Sequence, residues 1–180
     1  MDELYIRKVL EGDPEAFRYF LKKYKDMAFH LAVSIVKDAY YAEEVAQDAF
    51  MKAFKGLRSF NGTAKFKTWF YRIVINEAFQ RLRKLKKEMV SFVPPEEIVF
   101  LECTSLYELQ EEEQKHIIGE SLNKLPPKES LVLTLFYLEE YSLAEICNIT
   151  GWSLSNTKVI LHRARKNIRS MLSSKLRTSR

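Results

Sequence analysis

Residues 142–172 read SLAEICNITGWSLSNTKVILHRARKNIRSML. Ser142 and Glu145 have the spacing of a capping box, in which each side chain satisfies a backbone N–H left unpaired at a helix start. Gly151 follows one short apolar-periodic run and suits the left-handed turn that ends a helix. Ser153 can cap a second, longer helix over about 154–172. A short helix, a glycine turn and a longer helix is the layout of a helix-turn-helix. The longer helix has two faces. Leu154, Thr157, Leu161, Ala164, Ile168 and Leu172 fall on the side expected to pack. Ser153, Ser155, Asn156, Lys158, His162, Arg163, Arg165 and Lys166 lie at its start or along its open sides. A recognition helix presents its N-terminal residues to base edges in the major groove. Basic side chains around it contact phosphates, which fix position without reading sequence.

Upstream, the clearest amphipathic stripe covers 39–57. Ala42, Val45, Ala46, Ala49, Phe50, Ala53, Phe54 and Leu57 recur at alternating threes and fours. Asp38 can cap this helix. Its polar face carries Glu43, Glu44, Gln47 and Asp48, and Glu44 and Asp48 are surface neighbours at i,i+4. Like charges so placed cost a few tenths of a kcal/mol unless a basic partner covers them. A solvated face is the plain reading; because the patch precedes a strongly basic stretch, a protein partner is the sharper one. Asp13-Pro14-Glu15 predicts an earlier helix start, with a break near Lys25-Asp26.

The 180 residues carry a formal charge of +5, and its distribution says more than its sum. Residues 51–87 hold eleven Lys and Arg against Glu77 alone. Residues 91–113 hold seven Glu and no base, and residues 155–180 hold eight Lys and Arg and no acid. Two basic blocks around an acidic one predict two polyanion-binding units and a self-repelling connector. With only 5 Gly and 5 Pro, turn formers are too scarce for sandwiches or barrels, and 47% hydrophobic residues exclude a disordered chain. The fold expected is all-α: two small helical domains, 1–87 and 106–180, joined by a flexible acidic linker over 88–105. In the second, helices are expected over 106–125 and 128–138, separated by Pro126-Pro127.

The 66–87 segment, with Phe60 and Lys65 just before it, interleaves aromatics with base. Aromatic faces stack on unpaired bases while Lys and Arg follow the backbone, a combination suited to opened nucleic acid. The loop Phe60-Asn61-Gly62-Thr63-Ala64-Lys65 has backbone and small polar groups able to hold one everted base. Core packing is the plain expectation for most of Trp69, Phe70 and Ile73.

For catalysis the chain offers little. His30, His116 and His162 are far apart in sequence, and no zinc spacing or phosphate-binding glycine loop occurs. Cys103 and Cys147 form no C-x-x-C pair. No cofactor, metal or enzymatic activity is expected. The charged start MDELYIRKVL lacks a signal-peptide core, and no run of residues suits a membrane span, so a cytoplasmic protein without membrane insertion is expected.

Two sets of residues carry a resemblance to a known family. EEVAQDAF (43–50) followed by FKTWFYRIVIN (66–76) resembles the promoter-melting domain of bacterial sigma factors. Leu125-Pro126 ahead of SLAEI (142–146) and LHRAR (161–165) resembles their C-terminal helix-turn-helix. The order and short length are similar to the extracytoplasmic-function subgroup of the sigma-70 family. The resemblance implies a dissociable specificity subunit of RNA polymerase, with core polymerase (β′ and β subunits) and promoter DNA as partners. Members of the subgroup are often held inactive by an anti-sigma factor, which the resemblance adds as a further partner. It implies that Glu43, Glu44, Gln47 and Asp48 dock on the basic coiled coil of β′. It assigns Ser59, Phe60, Asn61, Gly62, Thr63 and Lys65 to capture of a flipped base of the −10 element. Trp69, Tyr71, Asn76, Arg81, Arg83 and Lys84 would melt and read that element. Ser153, Ser155, Asn156, Lys158, His162, Arg163, Arg165 and Lys166 would read the −35 element. Members commonly carry a basic residue where Ile160 stands and Val where Thr157 stands, a departure that leaves the sequence preference at the −35 element open. The rival reading is a stand-alone helix-turn-helix regulator, which would not need the acidic face of 39–57.

Overall fold

In a computed structural model, residues 1–90 and 119–178 are described. They form α1 (Asp2–Leu10), α2 (Arg18–Val36), α3 (Ala39–Gly56) and α4 (Phe66–Val90), then α5 (Pro127–Leu133), α6 (Leu143–Thr150) and α7 (Leu154–Thr178). Residues 119–124 are also helical. No strand occurs among the described residues. The expected connector 88–105 and the helix start near 106 lie largely outside them; α4 runs to Val90.

Helices α2, α3 and α4 pack on one another as a first body. Its core is aromatic: Phe20 meets Phe66 at 4.2 Å between ring centroids, and Phe50 meets Phe70 at 4.6 Å. Tilted ring pairs at such distances add about 1 kcal/mol each to what their buried area contributes. The Asp13 carboxylate accepts the Ala16 N–H, as a cap should, but the turn it caps is 3₁₀ (Pro14–Phe17) and leads into α2. The break expected near Lys25-Asp26 is absent. Tyr24 and Ala28 on either side are buried in the core, so packing carries the helix through two residues of ordinary helical propensity. α2 ends at Lys37, whose φ of 64° is left-handed, and Asp38 then caps α3 by accepting the Tyr41 N–H at 2.9 Å. At the other end, α1 is tied to α2 through Asp2, whose carboxylate accepts bonds from Lys23, Tyr19 and Tyr24 at 2.6–2.8 Å. Burial works to raise the Asp2 pKa, but these donors outweigh it and hold the group below the usual carboxylate range.

The second body packs α5 and α6 on α7, with Leu131, Leu135, Ile146, Leu161 and Ala164 buried. The helix expected over 128–138 is α-helical to Leu133 and becomes a π turn over Thr134–Leu138. That widened turn leads to Glu140 at φ 55°, and to a Tyr141 N–H bonded to the Leu135 carbonyl. The capping box forms as read: the Ser142 N–H donates to Glu145, and the Glu145 N–H donates to the Ser142 hydroxyl. Gly151 takes φ 75°, where a side chain would be strained, and the Ser153 hydroxyl accepts the Asn156 N–H.

The two bodies touch. α2 packs on α5 and α4 packs on α6. Lys37 donates to the Leu122 carbonyl at 2.8 Å, and Phe79 of α4 meets Trp152 of the turn at 6.3 Å.

Candidate nucleic-acid interface

The loop between α3 and α4 is held open by local bonds. Ser59 donates to the Gly56 carbonyl at 2.7 Å, and the Asn61 side-chain oxygen accepts from the Thr63 hydroxyl at 2.8 Å. Gly62 takes φ 70°, which lets the chain reverse between them. Phe60 is half-buried against Trp69, with ring centroids 5.1 Å apart, while Ser59, Asn61, Gly62, Thr63 and Lys65 stay exposed. A cavity of about 780 Å³ opens beside this loop, lined by Phe60, Gly62, Ala64 and Lys65 and by Lys23 and Tyr24 across it. It sets aromatic walls, suited to stacking on an unpaired base, beside ammonium groups, but Asp2, Glu3 and Glu139 line it too and the Lys23 ammonium is bonded to Asp2.

Along α4 the sequence-assigned residues part company. Asn76, Arg83 and Lys84 are exposed and Trp69 is half-buried beside the loop. Tyr71 is 0% exposed in this arrangement, covered in part by the second body. Burial, with the Glu139 charge beside it, pushes its phenol far above the ordinary range. The reason lies in helical phase: Tyr71 follows Phe70 and precedes Val74, on the side facing the second body, where Tyr141 meets it edge-on at 5.5 Å. Arg81 is committed as well. Its guanidinium donates to Glu44 of α3 at 2.6 Å and lies over the Tyr41 ring at 4.5 Å. It braces α4 on α3, with 28% of its side chain exposed.

On α3, Glu43, Gln47 and Asp48 are exposed and share a face with Tyr40 and Met51, which are 66% and 55% exposed. Those two apolar neighbours were not singled out by sequence reasoning, because the stripe rule looks for the buried side of a helix. The cluster offers two free carboxylates and a third shared with Arg81, flanked by apolar surface.

Ser153, Ser155, Asn156, Lys158, His162, Arg163, Arg165 and Lys166 are all exposed, in one strip from the turn along α7. Arg165 is steadied by its own body, donating to the Tyr137 hydroxyl at 2.8 Å and lying over Phe136. Leu154, expected to pack, is 48% exposed. Thr157 and Ile160 are 0% and 8% exposed. Ile160 therefore faces the core and does not line the reading surface. Thr157 instead donates to the Ser153 carbonyl and lies 3.3 Å from the Cys147 sulfur, fixing the two helices of the motif.

Two residues given no site role in the sequence reading sit between the bodies: Lys67 of α4 and Glu139, just after the π turn, form an ion pair at 2.9 Å. No signal in the sequence connects positions 72 residues apart.

The Sigma-70 region 2 family pattern matches residues 20–88, and the Sigma-70 region 4 pattern matches residues 115–168. The chain is 32% identical to the ECF RNA polymerase sigma factor SigW of Bacillus subtilis, over 93% of this chain and 94% of that protein. It is 30% identical to the RNA polymerase sigma-H factor of Pseudomonas aeruginosa, over 98% and 96% of the two chains. Among solved structures, its fold is similar to the sigma factor RpoE crystallised with the anti-sigma factor NepR from Bartonella quintana. There the TM-score is 0.67 at 24% identity, covering 87% of this chain and 96% of that one.

Proposed function

The chain belongs to the sigma-70 family as a sigma factor of the extracytoplasmic-function group, directing transcription initiation, and from that premise we propose how its surfaces divide the work. The face of α3 carrying Glu43, Glu44, Gln47 and Asp48 docks on a basic surface of core RNA polymerase. The loop Ser59–Lys65, with Trp69 and the exposed side of α4, holds opened −10 DNA. The strip from Ser153 to Lys166 reads the −35 element as duplex. Arg81 and Tyr71 act behind these surfaces, not on them.

The observation that carries this reading is the pairing of two kinds of nucleic-acid surface in one chain. An aromatic-walled cavity beside the exposed loop lysine Lys65 suits unpaired bases, and an exposed basic recognition helix suits duplex. Flipping a base costs a few kcal/mol. A chain that provides a pocket for it gains most by acting where strand opening is already under way, which is on the polymerase. The protein itself needs no chemistry for this and acts as a dissociable subunit. It works where polymerase and chromosome are, in the cytoplasm; no helix among the described residues is long and apolar enough to cross a membrane. An anti-sigma factor is its expected regulatory partner.

The test is to mix the protein with core polymerase and map transcripts by genome-wide run-off. Defined start sites that depend on the added protein are expected. Reversal of the two charges, Glu43→Lys with Asp48→Lys, should abolish association with core while leaving the fold intact, since both side chains are exposed. Retention of core binding by that double variant would refute the docking assignment. It would favour a stand-alone regulator.

A further inference from the structure

Arg165 stands well along α7 from Leu154, about 17 Å up the axis at about 1.5 Å per residue. A recognition helix meets base edges with its first turns, so a cation this far along reaches the sugar-phosphate flank. Its guanidinium is held in place. The Nε–H donates to the Tyr137 hydroxyl at 2.8 Å, and the planar group lies 5.3 Å over the Phe136 ring and 5.5 Å over that of Tyr137. Those two rings meet edge-on at 5.0 Å and form a corner around the cation. No carboxylate pairs with Arg165 among the described residues, and α7 carries none of its own.

Tyr137 is the less obvious member of this group. It lies outside α7, in the π turn Thr134–Leu138, and is 54% exposed, so the core does not account for it. A phenol accepts through its oxygen and has one proton to give. The Tyr137 oxygen already accepts from Arg165, and its O–H has no acceptor among the described residues. Accepting from a cation polarises that O–H and strengthens the bond it can donate next. With the Nε–H spent on Tyr137, the Nη groups of Arg165 keep their donors free. Two neighbouring side chains thus present donors, and neither carries a negative charge. A groove of about 430 Å³ continues along the same helix, lined by His162, Arg165, Lys166 and Arg169 with two serines and no carboxylate.

Resting on the −35 assignment above, we infer that Tyr137 is itself a DNA-contacting residue: its hydroxyl donates to the backbone phosphate that the Nη groups of Arg165 hold at the flank of the −35 element. The duplex-reading surface therefore extends off α7 onto the turn before α6. Arg165 supplies the charge, and Tyr137 supplies the aim and a second donor. A guanidinium already held in a corner loses less side-chain freedom on binding. Because the contact is to phosphate, its contribution is the same whatever the −35 sequence.

Holoenzyme assembled with the full chain tests this on a promoter found by run-off, with affinity read by fluorescence anisotropy across a salt series. Tyr137→Phe keeps the ring under the guanidinium and removes only the hydroxyl. It should weaken binding about three- to tenfold, as expected for one hydrogen bond to a charged group. The slope of log affinity against log salt should not change, because no charge is lost. Arg165→Gln should weaken binding and also lower that slope by about one. Both side chains are exposed, so neither variant should alter the melting temperature. Nicked probes lacking one flanking phosphate at a time should include one on which the parent and Tyr137→Phe bind equally. Equal affinity of the two on the intact promoter overturns the inference. So does a Tyr137→Phe slope that falls as it does for Arg165→Gln, since the hydroxyl would then only hold Arg165 in place. Absence of any start site dependent on the protein refutes the functional reading instead. The same pair of proteins, free and on a short random-sequence duplex, then decides the contact: weaker binding by Tyr137→Phe at unchanged slope upholds it, and equal binding overturns it.

Discussion

At the scale of single residues, exposure separates those that can meet DNA from those that hold the site. Lys65 is exposed and Tyr71 is fully buried, although both fall in the segment assigned to the −10 element. A lysine that contacts one phosphate adds roughly one unit to the slope of log affinity against log salt. Lys65→Ala should lower that slope by about one in promoter binding by the holoenzyme, with no change in melting temperature. Tyr71→Phe should do the opposite of what a DNA-contacting residue would. Its hydroxyl is buried without a well-formed hydrogen bond, the Glu139 carboxylate lying only nearby, so removing it relieves a desolvated polar group. Such changes are neutral or stabilising. Promoter opening should be unchanged, and the melting temperature should stay level or rise by a few degrees. Thermal melts beside permanganate footprints of both variants check this. A Tyr71→Phe protein that folds but fails to open promoters would return the phenol to the DNA surface.

At the scale of elements, local signals were the most legible in the sequence. Asp38, Ser142 with Glu145, Gly151 and Ser153 each mark a helix end through bonds between residues three or four apart, and each occurs in the structure. Continuity of α2 through Lys25-Asp26 was not legible, because propensity there is neutral and the deciding contacts come from α3 and α4. The π turn after Leu133 was hidden for a similar reason. Its extra residue keeps the apolar pattern almost unchanged while shifting the helical phase of the residues beyond it. The same limit applies to the site. The acidic face of α3 and the basic strip of α7 show in composition, whereas the Arg81–Glu44 brace and the Lys67–Glu139 pair join distant segments. The capping box carries its own prediction. Ser142→Ala removes the acceptor for the Glu145 N–H and should cost about 1 kcal/mol of stability. Because α6 positions α7, the loss should also reduce transcription from promoters that depend on the −35 element more than from others. Urea titration followed by run-off on paired templates measures both.

At the scale of the whole molecule, the contact between the bodies includes a lysine that gains nothing from carrying charge. Lys37 sits where α2 turns left-handed into α3, and its amine donates to the Leu122 carbonyl of the other body. Burial lowers its pKa to about 7, and no carboxylate is among the causes. Were the bodies to separate, the side chain would meet water and regain the ordinary value near 10.4. Closing therefore releases a proton between pH 7 and about 10.4, and linkage requires closure to strengthen as pH rises through that window. Below pH 7 the amine is protonated in both forms and the dependence disappears. Scattering or spin-label distances on the free chain should show a more closed population at pH 9 than at pH 7. Lys37→Met keeps the length and apolar stem of the side chain without the titrating group. It should be closed to the same extent at both values, and more closed than the parent at pH 7. A parent that opens on going from pH 7 to pH 9 would mean that the charged form of Lys37 is the one that holds the bodies together. Its bond to Leu122 would then have to outweigh the desolvation that lowers its pKa.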